Sequence, residues 1–342
     1  MQSFKLFHDK LILMAIMLSA CGILFSSCKK NSASVPVVQQ VFPDSAAGNN
    51  VVYITGSGLS GIRSIIFDKG RVPAPFNPEF NTDHALIFRV PDTAFGGPQQ
   101  IIITNAKGDS VIIPFTVIAL PTVTSVSLPE FTTGTKITLT GNNLDDVTQV
   151  ILHGTNDQAS IVSQDRKTLV IQMPSTTVSR ARLDITNSSG TITTQQELIS
   201  VDNAKQLFTE NFGTGIYNWS WATVSVSTDY AVLGTHSIKA VFAPGGWQAI
   251  SLHCDPTIDA SQYTYYTFWI KGDPNQDVQV DVRSENGGTT QTITVPANVW
   301  TYYKFKTDFI SGFPIERLDF QIHGPNGSNS ATLYVDDILL VK

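Results

Sequence analysis

The residues whose type and spacing could do chemistry lie in the last part of this 342-residue chain. All five tryptophans are there: Trp219, Trp221, Trp247, Trp269 and Trp300. An indole is a large rigid face that stacks on flat apolar surfaces, the C–H face of a sugar ring among them, at small entropic cost. Polar side chains recur two apart around them. In a strand, successive side chains point to opposite faces, so i and i+2 share one. Over 277–283 three valines face inward, which turns Gln279, Asp281 and Arg283 outward together. Over 318–323, Leu318, Phe320 and Ile322 face in, and Asp319, Gln321 and His323 face out. Over 247–253, Trp247, Ser251 and His253 share the outer side, and over 266–271 Thr267, Trp269 and Lys271 do. If these strands lie in one sheet, that sheet carries aromatic platforms beside donors and acceptors for hydroxyl groups.

The rings are not equivalent. Trp219 and Trp221, two apart, form either two stacking platforms or a hydrophobic lid. Trp247 follows Pro244-Gly245-Gly246, a turn that could present it to a ligand. Trp269 is either exposed or covered by a loop or a neighbouring domain. Trp300 begins a strand and reads as a packing residue.

The elements that must position these groups are strands. Hydrophobic residues make up 42%, enough for real cores, but charged residues only 15%, below the usual quarter or so. The formal net charge is −6, and the body of the chain has no Lys/Arg run, which argues against a nucleic-acid partner. No window shows sustained helical periodicity. Short β-rich runs such as Val52-Tyr53-Ile54, Ile101-Ile102-Ile103 and Val111-Ile112-Ile113 are bounded by Gly, Asn, Asp and Pro. Beyond the apolar N-terminal segment only Cys254 remains, so no internal disulfide and no Cys/His zinc spacing is available.

The chain also repeats itself. Ile54-Thr55-Gly56-Ser57-Gly58-Leu59 recurs as Leu139-Thr140-Gly141-Asn142-Asn143-Leu144, Leu86 to Pro91 as Leu169 to Pro174, and Ile103-Thr104-Asn105 as Ile185-Thr186-Asn187. A period this long is a whole small sandwich and not a solenoid unit. The Thr-Gly-x-x-Leu block resembles the IPT/TIG family of immunoglobulin-like domains, over 38–118 and again over 121–202. That resemblance implies β-sandwiches acting as spacers. Gly56 and Gly141 read as backbone positions, needing either positive φ or a close strand approach.

From 205 to 342 the layout resembles jelly-roll carbohydrate-binding modules, through Phe208-Thr209-Glu210-Asn211-Phe212, Gly234 to Ile238, Trp300 to Tyr303 and the closing Leu333-Tyr334-Val335-Asp336-Asp337-Ile338. The resemblance implies glycan binding without catalysis, with no cofactor required. It also points to a structural calcium, for which Glu210 and Asp336 are candidate oxygen ligands. The expected fold class is all-β: two immunoglobulin-like β-sandwiches followed by a jelly-roll β-sandwich. The expected glycan-binding residues are Trp219, Trp221, Trp247, His253, Trp269, Gln279, Asp281, Arg283, Gln321 and His323.

Lys5 and Lys10, the apolar run Leu11 to Phe25 and Ser26-Ser27-Cys28 lay out a secretory signal over 1–27, shorter than the roughly 20 residues of a membrane span. It resembles a bacterial lipoprotein signal, with Cys28 as the lipidated residue and Cys21 as the alternative; 28–37 is a tether. Taken together, the chain resembles surface glycan-binding lipoproteins of starch-utilisation-type uptake systems. That family implies a polysaccharide or oligosaccharide partner, an outer-membrane lipid anchor facing the exterior, and association with a glycan importer complex. Acidic residues often follow the lipid cysteine in such proteins; here Lys29-Lys30-Asn31-Ser32 does.

An enzyme is not expected. Glycosidases need two placed carboxylates, and Glu210, Glu285 and Glu316 sit in no catalytic motif. Gly-x-Ser-x-Gly, His-Glu-x-x-His and a phosphate-cradling loop are absent as well. The alternatives are an adhesin with a protein partner and, third, a glycoside hydrolase.

Overall fold

The computed structural model describes residues 34–245, 247–285, 287–310, 314–323 and 330–342. The signal segment with Cys21 and Cys28 lies outside the described residues. Among the described residues regular structure is almost wholly β, broken by single 3-10 turns. The chain divides into two compact units, up to Ala119 and from Leu120 onward.

In the first unit a three-stranded sheet runs in the order Val37–Phe42, Val51–Ser57, Ala85–Arg89. A five-stranded sheet, ordered Ser45–Ala47, Ser110–Ile118, Gly97–Asn105, Ile62–Phe67, Val72–Pro73, packs on it. Burial alternates along Val51–Ser57, sending Val52 and Ile54 inward with Leu86 and Phe88. They meet Ile65, Phe67, Ile101, Ile103 and Phe115 of the other sheet. Phe67 bridges the layers, edge-on to Phe88 at 6.3 Å and to Phe115 at 5.8 Å.

The second unit opens with a seven-stranded sheet that includes Thr122–Val126, Lys136–Asn142, Thr168–Gln172 and Leu183–Asn187, over a core of Phe131, Ile137, Leu139, Val150, Ile171 and Ile185. The repeated glycines have a shared cause. A Cβ on Gly56 would lie 1.9 Å from the carbonyl oxygen of Val37, and one on Gly141 would lie 1.7 Å from that of Thr122. Both face a register shift in the adjoining first strand. Close strand approach, not positive φ, requires glycine there.

The rest of the unit is a sandwich of two antiparallel sheets. The front sheet is ordered Ile216–Asn218, Ala249–Asp259, Pro314–Ile322, Val278–Ser284, Gln291–Val295. The back sheet is ordered Thr223–Ser227, Ser237–Phe242, Ala331–Val341, Tyr265–Lys271, Trp300–Lys306, with Lys205–Phe208 pairing on Ala331–Val341. Ile250, Leu252, Val280, Val282, Leu318 and Phe320 from the front meet Ile238, Phe268, Ile270 and Val335 from the back. Phe268 and Phe320 touch edge to face at 4.8 Å. Truncating either to alanine costs about 3–5 kcal/mol.

Candidate functional site

The five strands of the front sheet align their outward residues in rows. Tyr217 pairs with His253 and His253 with Arg317, and Glu285 donates its N–H to the Arg317 carbonyl at 3.1 Å. In the next row Ser251, Asp319 and Arg283 are cross-strand neighbours; in the third, Ala249, Gln321, Asp281 and Thr292. His323 donates its backbone N–H to Gln279 at 3.0 Å and continues the face. The period-two pattern is the reason: valines, Leu318 and Phe320 are pulled inward, and the polar partners are left out.

Aromatic rings crowd one edge of this face. Tyr217, Trp219, Trp221 and Trp247 are 52%, 53%, 40% and 56% exposed, high for such large side chains and so free to take a ligand. Trp219 lies flat on the His253 imidazole, with ring centroids 3.5 Å apart and planes 5° apart. Its backbone N–H reaches the Ser251 carbonyl at 3.0 Å, which fixes the entry of the chain. The Trp221 indole donates to the Trp247 carbonyl at 2.7 Å, and Gln321 Nε2 donates to the same oxygen at 2.9 Å. The Arg317 guanidinium sits 5.5 Å from the centre of the Trp221 ring.

The polar groups are tied to one another. Asp319 is fully buried beneath the face. Burial pushes its carboxyl up, while the Ser251 hydroxyl at 2.7 Å and the cations of Arg317 and Arg283 pull it back. Arg317 lies 3.2 Å from Asp319 and 2.6 Å from Glu285. Asp281 receives His323 at 2.8 Å and Thr292 at 2.6 Å. Such a surface can hydrogen-bond hydroxyls from positions that are already fixed, so little is lost in ordering it.

The expected residues Trp219, Trp221, Trp247, His253, Gln279, Asp281, Arg283, Gln321 and His323 are therefore brought together on or beside the front sheet. Trp269 is not. It belongs to the back sheet, where Glu130 of the preceding sandwich accepts its indole N–H at 2.9 Å and the Thr267 hydroxyl at 2.8 Å. The same joint includes Glu197 between Lys304 at 2.6 Å and Arg180 at 3.1 Å, and the apolar cluster Ile199, Val201, Leu339, Val341. Trp269 is a packing and anchoring residue, and its inclusion in the glycan set is corrected. Sequence reasoning missed Tyr217, Arg317 and Glu285. The first two lie two residues before Trp219 and Asp319, so extending the same alternation by one step reaches them.

The two calcium candidates belong to the back sheet: Asp336 lies in Ala331–Val341, and Glu210 follows Lys205–Phe208, which pairs on that strand. Glu210 accepts the Thr235 N–H at 2.8 Å and is paired with His236 at 2.6 Å. Burial is the largest single influence and raises its carboxyl, but the hydrogen bonds from His236 and Thr235 and the His236 charge together outweigh it and hold the group below its ordinary value. Asp336 accepts the Val232 N–H at 2.8 Å and the Asp337 N–H at 2.8 Å. Asp336 and its neighbour Asp337 are both buried and both pushed up by that burial and by nearby carboxylates, Glu210 among them. One carboxylate oxygen of Asp337 has no partner. Among the described residues no preformed cluster of three or more His, Cys, Asp or Glu is arranged to hold a metal.

Comparison with known proteins places these features. The IPT/TIG domain family model matches residues 121–201. No curated protein matches the sequence. Among solved structures, the surface glycan-binding protein PbSGBP-B from Prevotella bryantii aligns with a TM-score of 0.54 at 16% identity, covering 90% of this chain and 99% of that one. SGBP-B from a complex xyloglucan utilization locus in Bacteroides uniformis aligns with a TM-score of 0.45 at 15% identity, over 90% of this chain and 100% of that one. The chain shares with the Prevotella protein a fold that runs nearly the whole length of both.

Proposed function

We propose that this chain binds polysaccharide at the bacterial cell surface without acting on it, through the front sheet of its C-terminal sandwich. The observation that carries the reading is the row of half-exposed rings, Tyr217, Trp219, Trp221 and Trp247, set beside a face of fixed hydrogen-bonding groups. An extended aromatic edge suits an extended chain, and a β-glucan-type polymer is the class we assign. The fold shared with a protein named for surface glycan binding supports this.

The domain plan that goes with it is a signal over 1–27, a tether over 28–37, IPT/TIG-like spacers over 38–118 and 121–202, and a binding domain over 205–342. Lipid on Cys28 would hold the protein at the outer membrane, with a glycan importer complex as its working partner. Each carboxylate described on the face is engaged by a cation or a hydroxyl, an arrangement better suited to orienting hydroxyls than to general acid catalysis.

Asp336 and Asp337 fit an oxygen-seeking divalent cation in one respect, a buried acidic pair with a bare oxygen. Calcium bound there would neutralise the pair. Glu210, already engaged by Thr235 and His236, would have to move to join them.

Affinity electrophoresis through gels containing β-glucans, xylans, mannans or starch tests the proposal. Retardation in at least one β-glucan gel, with no reducing sugar released over time, is expected. Unretarded migration in every gel overturns the reading, and steady release of reducing sugar would make the chain a hydrolase.

A further inference from the structure

The back sheet offers a second site, independent of the front face. Its outward residues along Tyr265–Lys271 are Tyr265, Thr267, Trp269 and Lys271. The first three lie in the joint with the preceding sandwich. Lys271 lies one step further and opens into a cavity of about 220 Å³ lined by Tyr230, Lys239, Lys271, Asn298, Thr332 and Tyr334. That is below the roughly 300–1,000 Å³ of pockets for drug-sized ligands, and it suits a single sugar ring.

The register builds this pocket deliberately. Lys239, Tyr334 and Lys271 are direct cross-strand neighbours on three adjacent strands, and Trp300 continues the row on a fourth. Tyr230 closes one side, edge-on to Tyr334 at 4.9 Å and 4.8 Å from the Lys271 ammonium. Lys239 is neutralised by Asp229 at 2.7 Å. Lys271 is not. Lys271 is only 6% exposed, and its ammonium donates to the Asn298 carbonyl at 2.8 Å and to the Asn298 side-chain oxygen. Both acceptors are neutral, and among the described residues no carboxylate lies within ion-pair distance of it. Asp273, between the lining Gly272 and Pro274, gives its two oxygens to the N–H groups of Asn275 and Thr332. A nearly buried cation without a counter-ion is costly to keep and rewards an anionic ligand.

We propose that this pocket takes a hexuronate residue of an acidic saccharide, its carboxylate on Lys271 and its ring against Tyr230 and Tyr334. The site does not rest on the front-face reading. The chain's formal net charge of −6 works against indiscriminate attraction of polyanions, so capture of one would have to be local.

Isothermal titration of the chain without its signal segment, with trigalacturonate and its methyl ester as probes, tests it. Trigalacturonate should bind, more weakly as salt rises, and the uncharged ester about tenfold more weakly or not at all. Lys271→Met should weaken trigalacturonate binding about tenfold. Tyr230→Ala should do the same, and its exposed position keeps the test valid if the lysine variant fails to fold. A neutral β-glucan oligosaccharide at saturation should leave trigalacturonate affinity unchanged. No binding of the acid, equal binding of acid and ester, insensitivity to both substitutions, or competition by the neutral sugar each overturns the proposal. The acid-versus-ester and variant results stand even if no neutral glycan binds at all.

Discussion

The indole of Trp219 lies flat on the imidazole of His253, 3.5 Å between centroids and 5° between planes. One face of the indole is thus occupied by the protein, and the ring is held rigid on its own sheet. The remaining surface is ready to stack, with its ordering already done before any ligand arrives. Trp219→Ala should weaken glycan binding at least about thirtyfold, the range of an interface hot spot. Thermal stability should change little, because the ring is half exposed. His253→Ala should give a smaller loss and His253→Phe should restore most of it, as read by titration calorimetry. Wild-type affinity in Trp219→Ala would remove this ring from the site.

Arg317 joins the aromatic edge to the buried acid beneath it. It lies over Trp221 and pairs with both Asp319 and Glu285. Arg317→Ala should cost about 3 kcal/mol in urea unfolding, the low end for stripping a buried charge of its partner, because Arg283 remains 3.7 Å from Asp319. Asp319→Asn in the same background should recover part of that loss. Additive effects in the double variant would mean the two side chains are not coupled.

Glu130 makes the joint between the 121–201 sandwich and the back sheet sensitive to pH. Burial pushes its carboxyl from 4.5 up to about 7, against hydrogen bonds from Thr267, Tyr302 and Trp269 that pull it down. An acid with a raised pKa keeps its proton in the folded state after the unfolded chain has lost it. Its contribution is therefore most favourable at low pH and fades as pH rises from about 4.5 to about 7. The span corresponds to about 3 kcal/mol. Urea midpoints taken on the acid and alkaline sides of that window should diverge in the wild type and diverge less in Glu130→Gln, where Asp336 and Asp337 still titrate. Parallel pH slopes in the two proteins would contradict this.

The acidic pair Asp336 and Asp337 predicts a response to calcium. Without a cation, two buried carboxyls with raised pKa values lose stability as pH climbs above the ordinary aspartate range. At a hundred times its dissociation constant, a bound cation adds about 2.7 kcal/mol. For a domain of this size that is a rise of several degrees in melting temperature over the same protein in chelator. Asp337→Asn should melt higher in chelator and no longer respond to calcium. Identical melting curves with calcium and with chelator would remove the cation from the account.

Much of this site was legible in strand alternation, and its failures share one cause. Period two tells which side chains leave a strand's own core, and Gln279, Asp281, Arg283, Gln321 and His323 were all placed by it. It does not tell which of two sheets a strand joins. Trp269 alternates as cleanly as His253, yet it leaves the sandwich on the back, where Glu130, far away in sequence, covers it. It does not tell depth either: Asp319 and Ser251 point outward and are fully buried, because two arginines and the neighbouring strands close over them. The repeated Thr-Gly motif was readable as backbone chemistry, but choosing close approach over positive φ needed the Val37 and Thr122 carbonyls in place.

The most direct test of the central claim is calorimetric titration of soluble β-glucan oligosaccharides into the chain without its signal segment, beside a variant with Trp219, Trp221 and Trp247 all changed to alanine. The account predicts saturable binding by the wild type and none by the variant, with both proteins folded by circular dichroism. Equal binding by the two, or no binding by the wild type to any β-glucan, xylan, mannan or starch, would contradict it.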